Sequence, residues 1–416
     1  MSEWNLVRLG DICLNITDGS HTSPPSVESG YYMASVKDMD EYHFNLKNCR
    51  MISETDYLKL VKNGCQPQDG DVLIGKDGAR YLEDVFVFKQ DIKLVLLSSI
   101  AILRPNKNKI ISEFLFYFLK DKNTRINIKN NYGSGSAIPR MVLKDFKRVP
   151  ISIPNISDQK VIADTLSCLD EKIELNNRMN KTLEEMAQAI FKSWFVDFEP
   201  FKDGEFEDSE MGMIPKGWRV GKISDLGEVV GGSTPSKAKS EYYTEKGIAW
   251  ITPKDLSNNK DKFISKGNID ISELGLKNSS TKIMPKGTVL FSSRAPIGYV
   301  AVAKNDVTTN QGFKSVVPKI NIGTSYIYCF LKNNIEIIEN RATGSTFKEV
   351  SGSIMKGIPV IIPDDSILIK FQNLCDLYFE KQMVLESENR VLINIRDTLL
   401  PKLMSGEIRV PIEEAE

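Results

Sequence analysis

Cationic side chains, hydroxyls and side-chain amides recur in short Gly-, Ser- and Thr-rich segments of this sequence. In the second half they are Ser233, Thr234, Lys254, Ser293, Arg294, Asn310, Gln311, Lys314, Ser345, Thr346 and Lys348. In the first half they are Ser20, His21, Thr22, Lys37, Lys76, Arg80, Ser134, Ser136 and Arg140. Arg and Lys can contact guanine bidentately, and Asn and Gln adenine. Ser, Thr and loop amides more often hold phosphates. The set reads as candidate nucleic-acid contacts. The same residue types have plainer uses: Gly-Ser-Thr clusters make turns, and Asn310-Gln311 can be buried structural amides.

Catalysis and metal binding have less support. Cys13, Cys49, Cys65, Cys168, Cys329 and Cys375 are scattered without a C-x-x-C pair, and His21 and His43 are the only histidines. A zinc site needs about four close ligands, usually in paired spacing. No metal site is expected, and reduced thiols suit a cytoplasmic chain. No G-x-x-x-x-G-K-[ST] loop is present. Gly133-Ser134-Gly135-Ser136 stands before Pro139 without a strand–helix frame, and Glu380-Lys381 reads as exposed helix face. No catalytic residue is expected. Met1-Ser2-Glu3-Trp4-Asn5 lacks the basic start of a secretory signal. The run Leu94 to Leu103 is too short to span a bilayer.

What must position the candidate contacts is a chain of 416 residues, enough for two or three domains. Its net charge of −1 hides a segregation. Residues 1–156 hold 21 Lys+Arg and 18 Asp+Glu, and residues 218–363 hold 20 and 12. Residues 157–217 hold 7 and 14, and residues 364–416 hold 6 and 11. Two positive blocks alternate with two acidic ones, which suggests different partners for different blocks.

An internal repeat matches the alternation. Trp4 to Ile12 reads like Trp218 to Leu226, and Gly70-Asp71-Val72-Leu73-Ile74 like Gly287-Thr288-Val289-Leu290-Phe291. Gly135-Ser136-Ala137 parallels Gly344-Ser345-Thr346. Val149-Pro150 and Ile153-Pro154 parallel Ile358-Pro359 and Ile362-Pro363, at an offset of 209. One unit is used twice, and a pseudo-twofold protein suits a target with two half-sites.

The first part of each unit mixes short β-branched runs (72–74, 93–103, 288–291, 299–303, 314–317) with short apolar helices (112–119, 324–331), without a βαβ rhythm. The class is α+β. The second part is one long helix. Ile162, Leu166, Leu169, Ile173, Asn176, Asn180, Leu183, Ala187, Ile190 and Trp194 follow at alternating steps of 4 and 3, after N-cap candidates Ser157 and Asp158. The second copy carries Leu385, Asn389, Leu392, Arg396 and Leu399 on its seam, and Pro401 is expected to interrupt its last turn. Asn180 and Asn389 occupy equivalent positions. Trp4 and Trp218 are expected to anchor their domains, and Trp194 to be core. The predicted architecture is two pseudo-repeated α+β domains, 1–156 and 218–363, separated by two long helices forming an antiparallel coiled coil. The first helix occupies 157–196, an acidic linker 197–217, and the second helix with a C-terminal tail 364–416.

Several segments resemble a known family. Gly247 to Leu256, Leu290 to Tyr299, Asn310-Gln311-Gly312-Phe313-Lys314 and Thr343 to Lys348 look like the target-recognition domain of type I restriction–modification specificity subunits. Leu169 to Asn176, Phe191 to Phe198 and Leu399 to Ile408 look like that family's helical spacer segments. The resemblance covers essentially the whole chain in the family's order of domain, helix, domain, helix. It implies a cytoplasmic, non-catalytic reader of double-stranded DNA. Each domain would read half of a split asymmetric target. The helical pair would set the spacing and dock two modification subunits, which bring S-adenosylmethionine and methylate adenine. A restriction motor-nuclease subunit would bring ATP and Mg.

The first domain keeps the frame but not the phrases. Gly75-Lys76-Asp77-Gly78-Ala79-Arg80 stands where the second has Ser292-Ser293-Arg294-Ala295-Pro296-Ile297-Gly298, and Leu97 to Ala101 where it has Asn310 to Lys314. The two domains are therefore expected to read different sequences. The alternatives are an orphan or silent specificity subunit, or a coiled-coil scaffold that binds only protein. Salt-sensitive DNA binding separates the scaffold from a reader.

Overall fold

The computed structural model describes residues 4–134, 139–344 and 348–410. The chain divides into two compact units, Met1–Ile173 with Val391–Glu416, and Glu174–Arg390. The division falls inside both long helices, Ile156–Phe195 and Asp365–Met404.

In the first unit Asn5–Arg8 pairs antiparallel with Pro150–Ile153. A four-stranded antiparallel sheet follows in the order Cys13–Asp18, Ile100–Pro105, Val72–Gly75, Val85–Val87. A second sheet sets Tyr31–Ala34 between Met51–Ile52 and Leu94–Leu96, the last pairing being parallel. The run expected as one strand over 93–103 is thus two strands in two sheets. Ser112–Lys120 forms a helix because Phe114, Leu115, Tyr117 and Leu119 all have core to enter. Those side chains join Val72, Ile74, Met141 and Phe146, and also Ile162, Leu166, Leu400 and Leu403 of the long helices.

The second unit repeats this frame. Arg219–Lys222 pairs with Pro359–Ile362. Its larger sheet runs Gly227–Gly231, Lys314–Pro318, Val289–Phe291, Val300–Ala303, Phe263–Ile264. Its smaller sheet sets Ile248–Ile251 between Ile269–Ile271 and a parallel Thr308–Thr309. Thr324–Asn333 is the counterpart of Ser112–Lys120. Two glycines show why the frame recurs in the sequence. A Cβ on Gly19 would lie 2.2 Å from the Leu96 carbonyl oxygen, and one on Gly232 2.0 Å from that of Asn310. Each loop crosses the end of the parallel strand too closely for any side chain.

The first long helix starts at Ile156, and its cap is Asn155 rather than Ser157 or Asp158: Asn155 Oδ1 accepts from the Asp158 amide at 2.8 Å. The helix pair is antiparallel in the second unit. Asn176 Nδ2 donates to Asn389 Oδ1 at 2.9 Å, and Gln382 Nε2 to the Asn180 carbonyl at 2.9 Å. Asn389 therefore meets Asn176, and Asn177 at 2.7 Å, rather than its repeat counterpart Asn180. Antiparallel packing sets opposite one another residues that are displaced in the repeat. Ile162, Leu166, Ile173 and Leu385 are buried, while Leu169, Leu183, Ile190, Trp194, Leu392 and Leu399 are half-buried. Pro401 does not break the second helix, which continues to Met404. The missing donor falls in the last turn, and Leu400 and Leu403 are held by the first unit's core.

Trp218 is buried, Trp4 lies 6.2 Å from Phe114, and Trp194 lies 6.0 Å from Phe371. The segment 197–217 is more than a linker. Phe206–Glu207 pairs with Ile214–Pro215, and Phe201 packs 4.9 Å from Trp218.

Candidate nucleic-acid interface

Strand register gathers the loops of the second unit at one edge. Gly231 is opposite Lys314, so the end of one strand meets the start of the other. Ser233 N donates to the Thr309 carbonyl at 2.9 Å, Asn310 N to Ile251 at 3.0 Å, and Ser293 N to Gly312 at 2.8 Å. These bonds bring Ser233, Thr234, Ser293, Arg294, Asn310, Gln311 and Lys314 together. Thr234 donates its hydroxyl to Gln311. Lys254 follows Pro253, whose ring sits beside Gly312. Arg294 and Lys314 both reach Glu349, at 3.0 and 3.3 Å. Burial alone would raise the Glu349 carboxyl, but hydrogen bonds from these two cations hold it below the usual carboxylate range.

Position does not make every member accessible. Ser293 is fully buried, and its hydroxyl donates to the Gly312 carbonyl at 3.2 Å. Ser233 spends its carbonyl on the Trp250 indole at 3.1 Å. Asn310 Oδ1 accepts from the Gly312 amide at 2.9 Å, the structural use of that side chain. Lys254, Arg294, Gln311 and Lys348 are exposed. Ser345 and Thr346 lie outside the described residues.

The first unit gathers the equivalent loops. Ser20 N donates to Leu96 at 2.7 Å, Lys76 N to Ser99 at 2.8 Å, and Met141 N to Lys76 at 2.9 Å. Two candidates need correction. Ser20 is buried and closes a turn through its hydroxyl to the Thr22 carbonyl at 2.7 Å. Lys76 is buried between Asp18 at 3.4 Å and Asp77 at 3.3 Å, so its charge is already matched. His21 leans on Asp18 at 3.1 Å, and Arg80 pairs with Asp84 at 2.6 Å. Thr22, Lys37, Ser134 and Arg140 are exposed, and Ser136 lies outside the described residues.

One correspondence was written in the sequence but not drawn from it. Ser35 N and Oγ both donate to Asp38 Oδ2 at 2.8 Å. Thr252 N and Oγ1 donate to Asp255 Oδ2 at 2.7 and 2.6 Å. The shared pattern is a hydroxyl, any residue, lysine, aspartate. It sets exposed Lys37 and Lys254 at the same place in the two frames.

Each domain is tied to the helix pair by a buried polar cluster that the sequence reading missed. In the first unit Arg396 meets Asp170 at 2.7 Å, and Lys120 Nζ and the Tyr117 hydroxyl reach the same carboxylate at 3.2 and 2.9 Å. Burial works against ionisation of Asp170, but Lys120 and Arg396 outweigh it and hold the carboxyl below its usual range. In the second unit Lys262 Nζ lies 2.5 Å from Glu184 and 3.7 Å from the Phe379 ring centre. Glu386 accepts the amides of Lys262 and Phe263 at 2.7 and 3.1 Å. Burial, with Asp261 adding to it, pushes the Glu386 carboxyl up to about 7. Arg396, the one charged residue among the seam positions of the second helix, was the available signal, since a buried arginine requires a carboxylate.

The class of the protein follows from the doubled frame: two α+β modules, each docked on a pair of long helices. The family described as type I restriction modification DNA specificity domain matches residues 1–185 and 215–375, and the chain belongs to it. It is 28% identical to the type I restriction enzyme HindI specificity subunit of Haemophilus influenzae, over 98% of this chain and 100% of that one. A stretch covering 38% of this chain and 37% of the relative is 48% identical to the MjaIX specificity subunit of Methanocaldococcus jannaschii. The fold is similar to the crystal structure of a type I restriction–modification S subunit from M. genitalium, with a TM-score of 0.59 and 17% identity over 96% of each chain. Among the described residues, no helix is long and apolar enough to cross a membrane.

Proposed function

We propose that this chain is the DNA-reading specificity subunit of a type I restriction–modification complex. Each α+β domain reads one half of a split, asymmetric target. The observation that carries this reading is one backbone frame built twice, with different side chains at equivalent loop ends. Identical frames present a duplex with the same geometry of approach, and different side chains give two different half-sites. The exposed, equivalent Lys37 and Lys254 suit phosphates, which are the same in every sequence.

The helix pair sets the distance between half-sites and docks two modification subunits. A helix of 40 residues is about 60 Å long at ~1.5 Å per residue. Inserting four residues into one helix should change the spacer between half-sites, and an unchanged spacer would count against the ruler. This chain contributes recognition and no chemistry. S-adenosylmethionine belongs to the modification subunits, and ATP and Mg to the restriction subunits, of a cytoplasmic assembly.

The test is a genomic methyladenine map of cells carrying the modification partners, with and without this chain. Loss of one split motif on deletion is the expected result. An identical map, together with salt-insensitive or absent duplex binding, would favour the protein-only scaffold.

A further inference from the structure

An exposed arginine at the loop ends of the second domain is held by a carboxylate. Arg294 Nε lies 3.0 Å from Glu349 Oε2, and Lys314 Nζ lies 3.3 Å from Oε1. The backbone fixes Glu349 on two sides. It exchanges amide hydrogen bonds with Thr343 at 3.0 and 2.9 Å, and its neighbour Val350 donates to the Ser293 carbonyl at 2.9 Å. The Arg294 side chain is 46% exposed, and its closest approach to the carboxylate is through Nε. Among the described residues neither Nη has a hydrogen-bond partner.

An arginine anchored through Nε keeps its two Nη groups as a rigid pair of donors. On DNA such a pair fits two acceptor sets, the oxygens of a phosphate or guanine O6 with N7. The neighbouring carboxylate discriminates between them. It offsets one of the two positive charges of Arg294 and Lys314 and so weakens the pull on a phosphate, whereas the guanine edge carries no net charge and is less affected. The carboxylate also restrains a flexible side chain before binding, which lowers the entropy lost on recognition. The first domain exchanges the charges at this place. Arg294 bridges Glu349 through the backbone, and at the equivalent bridge Asp77 faces Arg140. There the carboxylate of Asp77 takes Lys76 at 3.3 Å, and the exposed arginine stands on the opposite limb.

We propose that Glu349 is a positioning residue that aims Arg294 at a guanine in the half-target of the second domain, so that the pair determines specificity at one base pair. This rests on the DNA-reading function proposed above. The first step of the test maps methyladenine in cells carrying the full chain and its modification partners. The second measures binding of the assembled complex to duplexes of the mapped motif, changed one base pair at a time. Glu349→Gln keeps the shape and removes the charge. Discrimination at a single G·C pair of one half-site should fall by about five-fold to 150-fold, the range for losing one bidentate contact. Every other position should keep its preference. Arg294→Lys keeps the charge but loses the fork, and should relax the same position. Glu349→Asp should restore part of the discrimination. Where Glu349→Gln does not fold, Arg294→Lys carries the test alone.

Unchanged discrimination at every position in these variants would overturn the proposal. So would a uniform loss of affinity with a salt slope reduced by about one, the signature of a phosphate contact. A wild-type chain that directs no motif would instead defeat the underlying function.

Discussion

The two α+β domains share a backbone and differ in the side chains at their loop ends. Gly19 and Gly232 fill the same crossing, and Lys37 and Lys254 the same capped turn. Beyond these, Lys76 replaces Ser293, Asp77 replaces Arg294, Arg140 replaces Glu349, and Leu97 with Ser98 replaces Asn310 with Gln311. What is kept is the glycine crossing and the capped turn that carries an exposed lysine. What changes is what could tell one base pair from another. The helix attachments differ too. The first domain uses a carboxylate held ionised by Arg396 and Lys120, the second a carboxylate that burial pushes toward neutrality.

The greatest loss of stability is expected at the first attachment. Arg396→Ala leaves Asp170 buried with Lys120 alone, and should cost about 3 kcal/mol, the lower end for breaking a buried pair. Denaturant unfolding measures it, and a loss under about 1 kcal/mol would mean that the pair does not hold the first domain to the helices. Replacing Asp170, Arg396 and Lys120 together by apolar residues should recover much of that loss.

The pH response sharpens the contrast. Glu386 has an ordinary value of 4.5, pushed up to about 7 in the folded chain. Between these values the folded state keeps a proton that the unfolded chain has released. Stability of the second unit should therefore fall as pH rises from about 4.5 through about 7, by roughly 3 kcal/mol at most at ~1.4 kcal/mol per unit. Asp170 is lowered from 3.8, so its contribution is present above that value and lost as pH falls through the folded one. Hydrogen exchange followed separately in the two units should show protection lost in the second unit as pH rises from about 4.5 through about 7, and lost in the first only as pH falls below 3.8. Loss of protection in both units over the same pH range would contradict the assignment.

Gly232→Ala and Gly19→Ala should each cost about 2 kcal/mol, because the new methyl meets backbone that can yield only by moving. Thermal melting checks this, and a tolerated substitution in one domain alone would show that the crossings are not equivalent. The smallest effect is expected at the shared lysines. Lys37→Ala or Lys254→Ala should weaken all duplexes alike, with the salt slope reduced by about one for each. A change in the motif itself would move these lysines from the constant to the reading part of the site.

Much of the frame was legible because it is written in apolar periodicity. Ile153 and Ile362 stand 209 residues apart and both pair with the first strand of their domain. The heptad seam placed Leu166 and Leu385 in the interior. The polar contacts were not legible, because they join residues far apart in the chain. Asp170 finds Arg396 at a separation of 226 residues, and no local pattern near either names the other. At the loop ends residue type misled in a consistent way. Ser20, Lys76 and Ser293 have the chemistry to touch DNA, but the frame uses their hydrogen-bonding capacity internally. Glu349 lies 55 residues from Arg294 in the chain, so its pairing with the arginine has no local signature.

One frame used twice should read two independent half-sites. Exchanging residues 218–363 for the corresponding domain of another family member, followed by methyladenine mapping in cells with the modification partners, tests it most directly. The expected motif is altered in one half, with the other half and the spacer preserved. A motif altered in both halves, or in neither, would contradict it.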